Sequence, residues 1–388
     1  MAKLVFTSLD ILTKYIETEN FKGYDPYDTL NSWVHFEGLG KWGPVLATQF
    51  QKRNPINIRP LLGIKKEINP KAFGLFLHAY SVLYKKTKNE EYKTKADYFF
   101  NWLKNNYSLG YSGYCWGYNF PWAGPGKYAD KFTPSSVVTG FICKGIYEYY
   151  NIDGSHEAKD ILISAADFIL NDIPCIEDEN GICFSYTPLK EDLCFNSSLF
   201  AAEILARAYT FNENEDYKSK AINSVNWVIH HQKSDGRWNY SADIDTGIER
   251  QQVDFHQGYV LESIYEIKNL LEIENQAWDN SITKGLGFYR NVQFLDHGVS
   301  FWRYPKRWPV EIHNQAQGII TMTKLHHYCP DLVGFPEKIA AWSIDNMQAK
   351  DGHFYYQKFP THTHKISYMR WSNAWMFLAL SMIIRDKR

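Results

Sequence analysis

Ser234-Asp235-Gly236-Arg237-Trp238-Asn239-Tyr240 leads into Asp254-Phe255-His256-Gln257-Gly258-Tyr259 and then a stretch with few charges. The same order recurs where Lys350-Asp351-Gly352-His353-Phe354-Tyr355-Tyr356 precedes Tyr368-Met369-Arg370-Trp371-Ser372-Asn373. Asp-Gly followed by alternating rings suits a tight turn opening a short extended segment. Weaker copies span 179–186 and 296–302. Before the turns, apolar residues recur at three- and four-residue intervals, as in Tyr92, Ala96, Phe99, Phe100 and Leu103, which predicts helices with one wet face.

Low-charge helices are expected to begin near Asn69, Phe132, Cys194, Asp254, Glu311 and Arg370, at separations of 63, 62, 60, 57 and 59 residues. So constant a period marks a repeat. Six wet outer helices and six low-charge inner ones make six hairpins. The expected fold is therefore all-α: a closed six-hairpin (α/α)6 toroid with short β-like turns between outer and inner helices. An open solenoid shares the periodicity and differs only in ring closure. No Pro-, Ser- or Gly-rich linker interrupts the series, so residues 1–388 are expected to form one domain. Its irregular part, residues 23–66, should include an extra helix over about 45–52.

Lys and Arg number 42 against 43 Asp and Glu, so there is no global basic field to hold nucleic acid or an anionic membrane. Aromatic residues reach 16%, enough to fill a core and still line a cavity. Asp10, Glu17 and Glu19 interrupt the N-terminus before any long apolar run, and no uncharged apolar stretch reaches membrane length. A cytoplasmic protein without an integral membrane segment is expected. Cys115, Cys143, Cys175, Cys183, Cys194 and Cys329 form no C-x-x-C pair and are expected to be reduced core or cavity residues.

In a toroid the starts of the inner helices meet at one mouth, although they lie about sixty residues apart in sequence. Two starts match: Asp254-x-His256-Gln257 and Glu311-x-His313-Asn314-Gln315 both read carboxylate, apolar residue, histidine, amide. Each carboxylate can orient an imidazole or act on a ligand, and helix capping is the alternative role. With Tyr259 and Tyr368, these residues are the candidate acids and bases. Three or four convergent metal ligands would need help from His362 and His364, so no metal and no other cofactor is expected. Trp116, Tyr118 and Trp122, within Tyr114-Cys115-Trp116-Gly117-Tyr118-Asn119-Phe120-Pro121-Trp122, suit a saccharide platform; a loop plugging the toroid is the alternative. Arg307, in Tyr304-Pro305-Lys306-Arg307-Trp308-Pro309, and Arg370 could hold a carboxylate-bearing or phosphorylated sugar.

Several segments in fixed order carry a resemblance. They are Gly23-Tyr24-Asp25-Pro26-Tyr27-Asp28, Asn54-Pro55-Ile56-Asn57-Ile58-Arg59-Pro60, Cys115-Trp116-Gly117-Tyr118-Asn119-Phe120, Asp254-Phe255-His256-Gln257-Gly258-Tyr259, Glu311-Ile312-His313-x-x-Ala316-Gln317 and Met369-Arg370-Trp371-Ser372-Asn373-Ala374-Trp375-Met376. Together they resemble a microbial toroid family labelled polysaccharide biosynthesis proteins, over nearly the whole chain. The resemblance implies a fold like that of six-hairpin glycosidases and of uronate epimerases and lyases, and a role in making surface glycans. Trp371, Gln257 and Gln317 join the expected substrate-binding set. The expected partner is a carbohydrate or sugar-containing substrate, and the expected activity is epimerisation or isomerisation of a uronic acid or related sugar by acid/base chemistry. The alternatives are a glycoside hydrolase or lyase using Asp254 and Glu311, and a non-catalytic glycan-binding protein.

Overall fold

The computed structural model describes residues 1–124 and 127–384; residues 125–126 and 385–388 of the expected 1–388 unit lie outside it. The helices are α1 (Ala2–Thr18), α2 (Gly43–Arg53), α3 (Pro70–Thr87), α4 (Glu90–Asn105), α5 (Ser136–Asp153), α6 (His156–Asp172), α7 (Phe195–Asn212), α8 (Glu215–His230), α9 (His256–Leu270), α10 (Gln276–Val292), α11 (Ile312–Lys324), α12 (Phe335–Met347) and α13 (Trp375–Ile383). Met369–Ala374 winds as a π-helix directly before α13. Side-chain caps set many of the starts. Asn69 accepts from the Lys71 amide at 3.0 Å, and Ser135 from the Val138 amide at 3.1 Å. Asn89, Ser155, Asn214 and Asn275 do the same for α4, α6, α8 and α10.

Periodicity sorts these helices into two rings. Helix α4 buries only the stripe Ala96, Phe99, Phe100 and Leu103, whereas α3 is buried all round from Pro70 to Ser81. The inner helices α3, α5, α7, α9, α11 and α13 each pack on the next, and α13 packs back on α3. At that closing joint the Phe377 ring lies 4.9 Å from Tyr80 and 5.7 Å from Phe76. Truncating a buried Phe in such a joint costs about 3–5 kcal/mol. Closure therefore selects the toroid over the open solenoid. The extra helix is present as α2, slightly longer than expected.

The turns are pinned by one repeated device. A polar side chain near the start of an inner helix accepts from a backbone amide in the preceding turn: Thr139 from Trp116 at 3.1 Å, Ser198 from Phe184 at 3.0 Å, Gln257 from Trp238 at 2.8 Å, Gln315 from Ser300 at 2.8 Å and Asn373 from Phe354 at 2.9 Å. Short antiparallel strands supply the expected β-like character, as where Cys175–Asp178 pairs with Gly181–Phe184. Gly236, at φ 99°, could not carry a side chain, because a Cβ would sit 2.3 Å from the Lys284 carbonyl oxygen.

Below the mouth the axis is filled in two layers. Phe141, Phe200, Tyr259 and Trp375, from four inner helices, form a ring-on-ring floor with centroid separations from 4.5 to 5.8 Å. Beneath it, the buried Glu203 carboxylate bonds Lys144 at 2.9 Å, Arg207 at 2.6 Å and the Ser263 hydroxyl. Glu262 accepts from Thr321 at 2.6 Å and from Gln317, and Lys324 pairs with Glu266 at 2.6 Å. All six cysteines are free; Cys175, expected inside, lies exposed on a strand edge because its strand begins at the outer rim.

Candidate functional site

The mouth opens into a cavity of about 380 Å³. The first turn or start of every inner helix reaches it, through Lys71, Val137, Asn196, His256, His313 and Arg370 in chain order. The repeat thus brings residues distant in sequence to one place.

Asp254 sits one residue before the N-cap of α9, and the turn into the helix brings its side chain onto its neighbour. Its Oδ1 lies 2.5 Å from His256 Nδ1, and its Oδ2 accepts from Gln252 Nε2 at 3.0 Å and pairs with Arg303 at 3.3 Å. Burial pushes this carboxyl up, but the charges of His256 and Arg303 and the bond to His256 more than offset it, so Asp254 is held below the usual carboxylate range. Asp254 thereby fixes the imidazole, as an orienting carboxylate does for a general base. Among the described residues His256 Nε2 has no protein partner.

His313 is fixed differently. Its Nε2 lies 2.6 Å from the Tyr259 hydroxyl, while its Nδ1 is buried with no partner. Burial, together with the nearby Lys71 and Arg370 charges, holds the ring well below the ordinary imidazole value, so it is neutral. Burial also raises the Tyr259 phenol, which keeps its proton. Phe255 contacts both imidazoles, its centroid 4.3 Å from that of His256 and 4.2 Å from that of His313.

Glu311, the N-cap of α11, is saturated. Its Oε1 accepts from Trp371 Nε1 at 2.9 Å, and its Oε2 from Gln357 Nε2 at 2.7 Å and Trp302 Nε1 at 3.3 Å. Tyr118 and Trp122 line the cavity as expected, with Phe120 stacked on Tyr118 at 5.1 Å and Tyr186 beside Trp122.

Other expected site residues lie elsewhere. Trp116 is fully buried, its indole donating to the Leu103 carbonyl at 3.2 Å. Trp238 makes the matching bond to Val228 in its own repeat, so Trp116 is a repeat-core residue that plugs its hairpin. Gln257 is spent on both backbone groups of Trp238, and Gln317 belongs to the Glu262 cluster beneath the floor. Tyr368 packs on Arg59 and Tyr356 behind the wall. Arg307 points outward over Trp308 because its loop turns Arg303 inward instead. Arg370 lines the cavity, but its Nε and Nη2 are engaged by Asp25 at 2.6 and 2.7 Å.

Several residues at the site escaped the sequence reading. Lys71 is the clearest. Its ammonium lies 4.0 Å from the Phe141 ring centroid, and no carboxylate among the described residues pairs with it. Burial and the neighbouring Arg370 charge push it well below the ordinary lysine value. Its signal was available, since it is the one cation within the apolar run Pro70–Val82 at an inner-helix start. Asp25, Trp302 and Arg303 carried no such mark, because loops placed them. Among the described residues no three His, Cys, Asp or Glu side chains converge as a metal set.

The fold is that of sugar-active toroid enzymes. The chain superposes on cellobiose 2-epimerase from Bacillus thermoamylovorans at TM-score 0.63 and 14% identity, covering 82% of this chain and 90% of that one. For an unsaturated glucuronyl hydrolase from Streptococcus agalactiae the figures are 0.65 and 13%, over 100% and 94%. For an α-mannanase from Bacteroides thetaiotaomicron they are 0.59 and 14%, over 82% and 85%. No protein-family model and no curated protein matches the chain. At such identities the likeness defines a six-hairpin toroid and leaves the reaction to be argued from the site.

Proposed function

We propose that the protein is a cytoplasmic sugar-modifying enzyme of surface-glycan biosynthesis that epimerises or isomerises a uronic acid or related sugar by moving a proton. One observation carries the reading. Two fixed imidazoles, each with a nitrogen free of protein partners, share a cavity in which both oxygens of each carboxylate are already occupied. Proton transfer at a sugar carbon needs an acid and a base in place, together with a donor where negative charge develops. His256, oriented by Asp254, and neutral His313, held by Tyr259, fill the first two roles. Lys71 fills the third, since an anionic sugar group arriving there restores its full charge. Tyr118 and Trp122 offer ring faces to the sugar.

Glycoside hydrolysis needs a protonated carboxyl as acid. Asp254 is held ionised and Glu311 is saturated by three neutral donors, so neither suits that role. The test is incubation with uronate-containing sugars in heavy water. Deuterium should enter the carbon beside the carboxylate with no release of sugar, and His256→Ala and His313→Ala should each lower the exchange about a hundredfold or more. New reducing ends without deuterium, lost on Asp254→Asn or Glu311→Gln, would establish hydrolysis instead. Binding with neither product would establish a glycan-binding protein.

A further inference from the structure

Helix α2 presents an exposed apolar stripe directly beside the cavity mouth. Pro44, Thr48 and Gln51 are buried, Val45, Gln49 and Lys52 line the cavity mouth, and next to them round the helix Trp42, Leu46 and Phe50, one helical turn apart, are 50%, 64% and 65% exposed. Leu39, packed beside Gly43, continues the outward stripe before the helix, and Trp33, whose indole donates to the Leu61 carbonyl at 3.2 Å, forms with Leu61 a second exposed apolar pair. An apolar surface of this extent marks an interaction site.

The charge of the segment identifies what covers it. Residues 38–66 contain six Lys and Arg and no Asp or Glu, within a chain whose net charge is −1. Arg59 is buried against Asp28, Lys66 pairs with Glu19 and Lys52 faces the cavity, which leaves Lys41 and Arg53 on the surface at the two ends of the stripe, while Glu37, in the turn of Leu39, accepts from the Tyr128 hydroxyl at 3.1 Å. Trp, Leu and Phe on one helix face with flanking cations form the pattern of a helix lying in an anionic bilayer interface. Among the described residues no helix is long and apolar enough to cross a membrane, so the contact would be with the membrane surface.

We propose that the α2 face docks on the surface of an anionic phospholipid bilayer, setting the cavity mouth against the membrane so that the enzyme works on sugars carried by lipid. The docking is independent of the chemistry; the lipid-borne substrate rests on the function proposed above. The test is co-sedimentation with vesicles of phosphatidylcholine alone or of phosphatidylcholine with phosphatidylglycerol. The full chain should favour the anionic vesicles by about tenfold or more and be released by salt. Leu46→Glu, Phe50→Glu and Lys41→Glu, none of which touches the cavity, should each reduce partition severalfold while leaving the melting temperature and exchange on a soluble sugar unchanged.

Equal partition of the wild type and these variants would overturn the proposal. So would absence of vesicle binding together with a dimer, seen by light scattering, that Leu46→Glu splits; the stripe would then be an interface between two copies. Retained vesicle binding with no deuterium exchange on any sugar would sink the proposed function and leave the docking standing.

Discussion

Replacing Arg370 with Lys separates a residue that builds the wall from one that grips substrate. The guanidinium is 1% exposed, holds Asp25 through two bonds of 2.6 and 2.7 Å, and lies 4.9 Å from the Tyr118 ring centroid and 4.8 Å from that of Trp371. Lysine keeps the charge but loses one charge-assisted bond, worth about 1.5–3 kcal/mol. It also loses the ring contact, worth about 0.5–1 kcal/mol. The expected destabilisation is about 2–4 kcal/mol, which for a chain of 388 residues lowers Tm by about 3–5 °C. Asp25→Asn strands a buried cation and should cost about 3–5 kcal/mol. In a double-mutant cycle followed by calorimetry, the pair should show strong coupling, because the two substitutions remove the same interaction. An unchanged Tm for Arg370→Lys alongside abolished exchange would refute this reasoning and return Arg370 to the role of a substrate clamp.

The two tryptophans of the aromatic segment should behave oppositely. Trp116→Ala should cost about 3–5 kcal/mol of stability with no separate binding defect, whereas Trp122→Ala should weaken glycan binding by about 1–3 kcal/mol and leave Tm nearly unchanged; melting curves and glycan titrations on both variants check this. Acid should destabilise the protein through its buried histidines. Burial pushes His364 down to about 4 from an ordinary 6.5, so the unfolded chain binds a proton that the folded chain refuses. Stability should therefore be full above pH 6.5 and fall as pH drops toward 4, by roughly 3 kcal/mol for this ring. His313 and His78 are shifted in the same direction and steepen the loss. Urea midpoints across that range should show a shallower fall for His364→Gln, and an equal slope in both proteins would remove His364 from the account.

The fold was legible because a sixty-residue period and two helix textures are properties of sequence alone. The site was half legible. His256, His313, Asp254 and Glu311 stood out because they begin inner helices, and the fold fixes where those starts go. The amides Gln257 and Gln317 misled, because both have structural duties: Gln257 pins the Trp238 turn, as Gln315 pins that of Ser300, and Gln317 bonds Glu262 and Thr321 beneath the floor. Trp116 was misread because its equivalence to Trp238 went unused. Arg303 was out of reach, since only the path of the 296–308 loop decides whether it or Arg307 turns inward. Net charge concealed the α2 face, because a balanced total says nothing about how charge is spread along the chain.

The sealed floor beneath the two histidines has a topological consequence. Among the described residues the aromatic layer and the Glu203 network fill the axis beneath the cavity, which opens at the mouth made by the inner-helix starts. In the reaction proposed above, substrate would reach His256 and His313 from that mouth. Product of that reaction would leave by the way its precursor came.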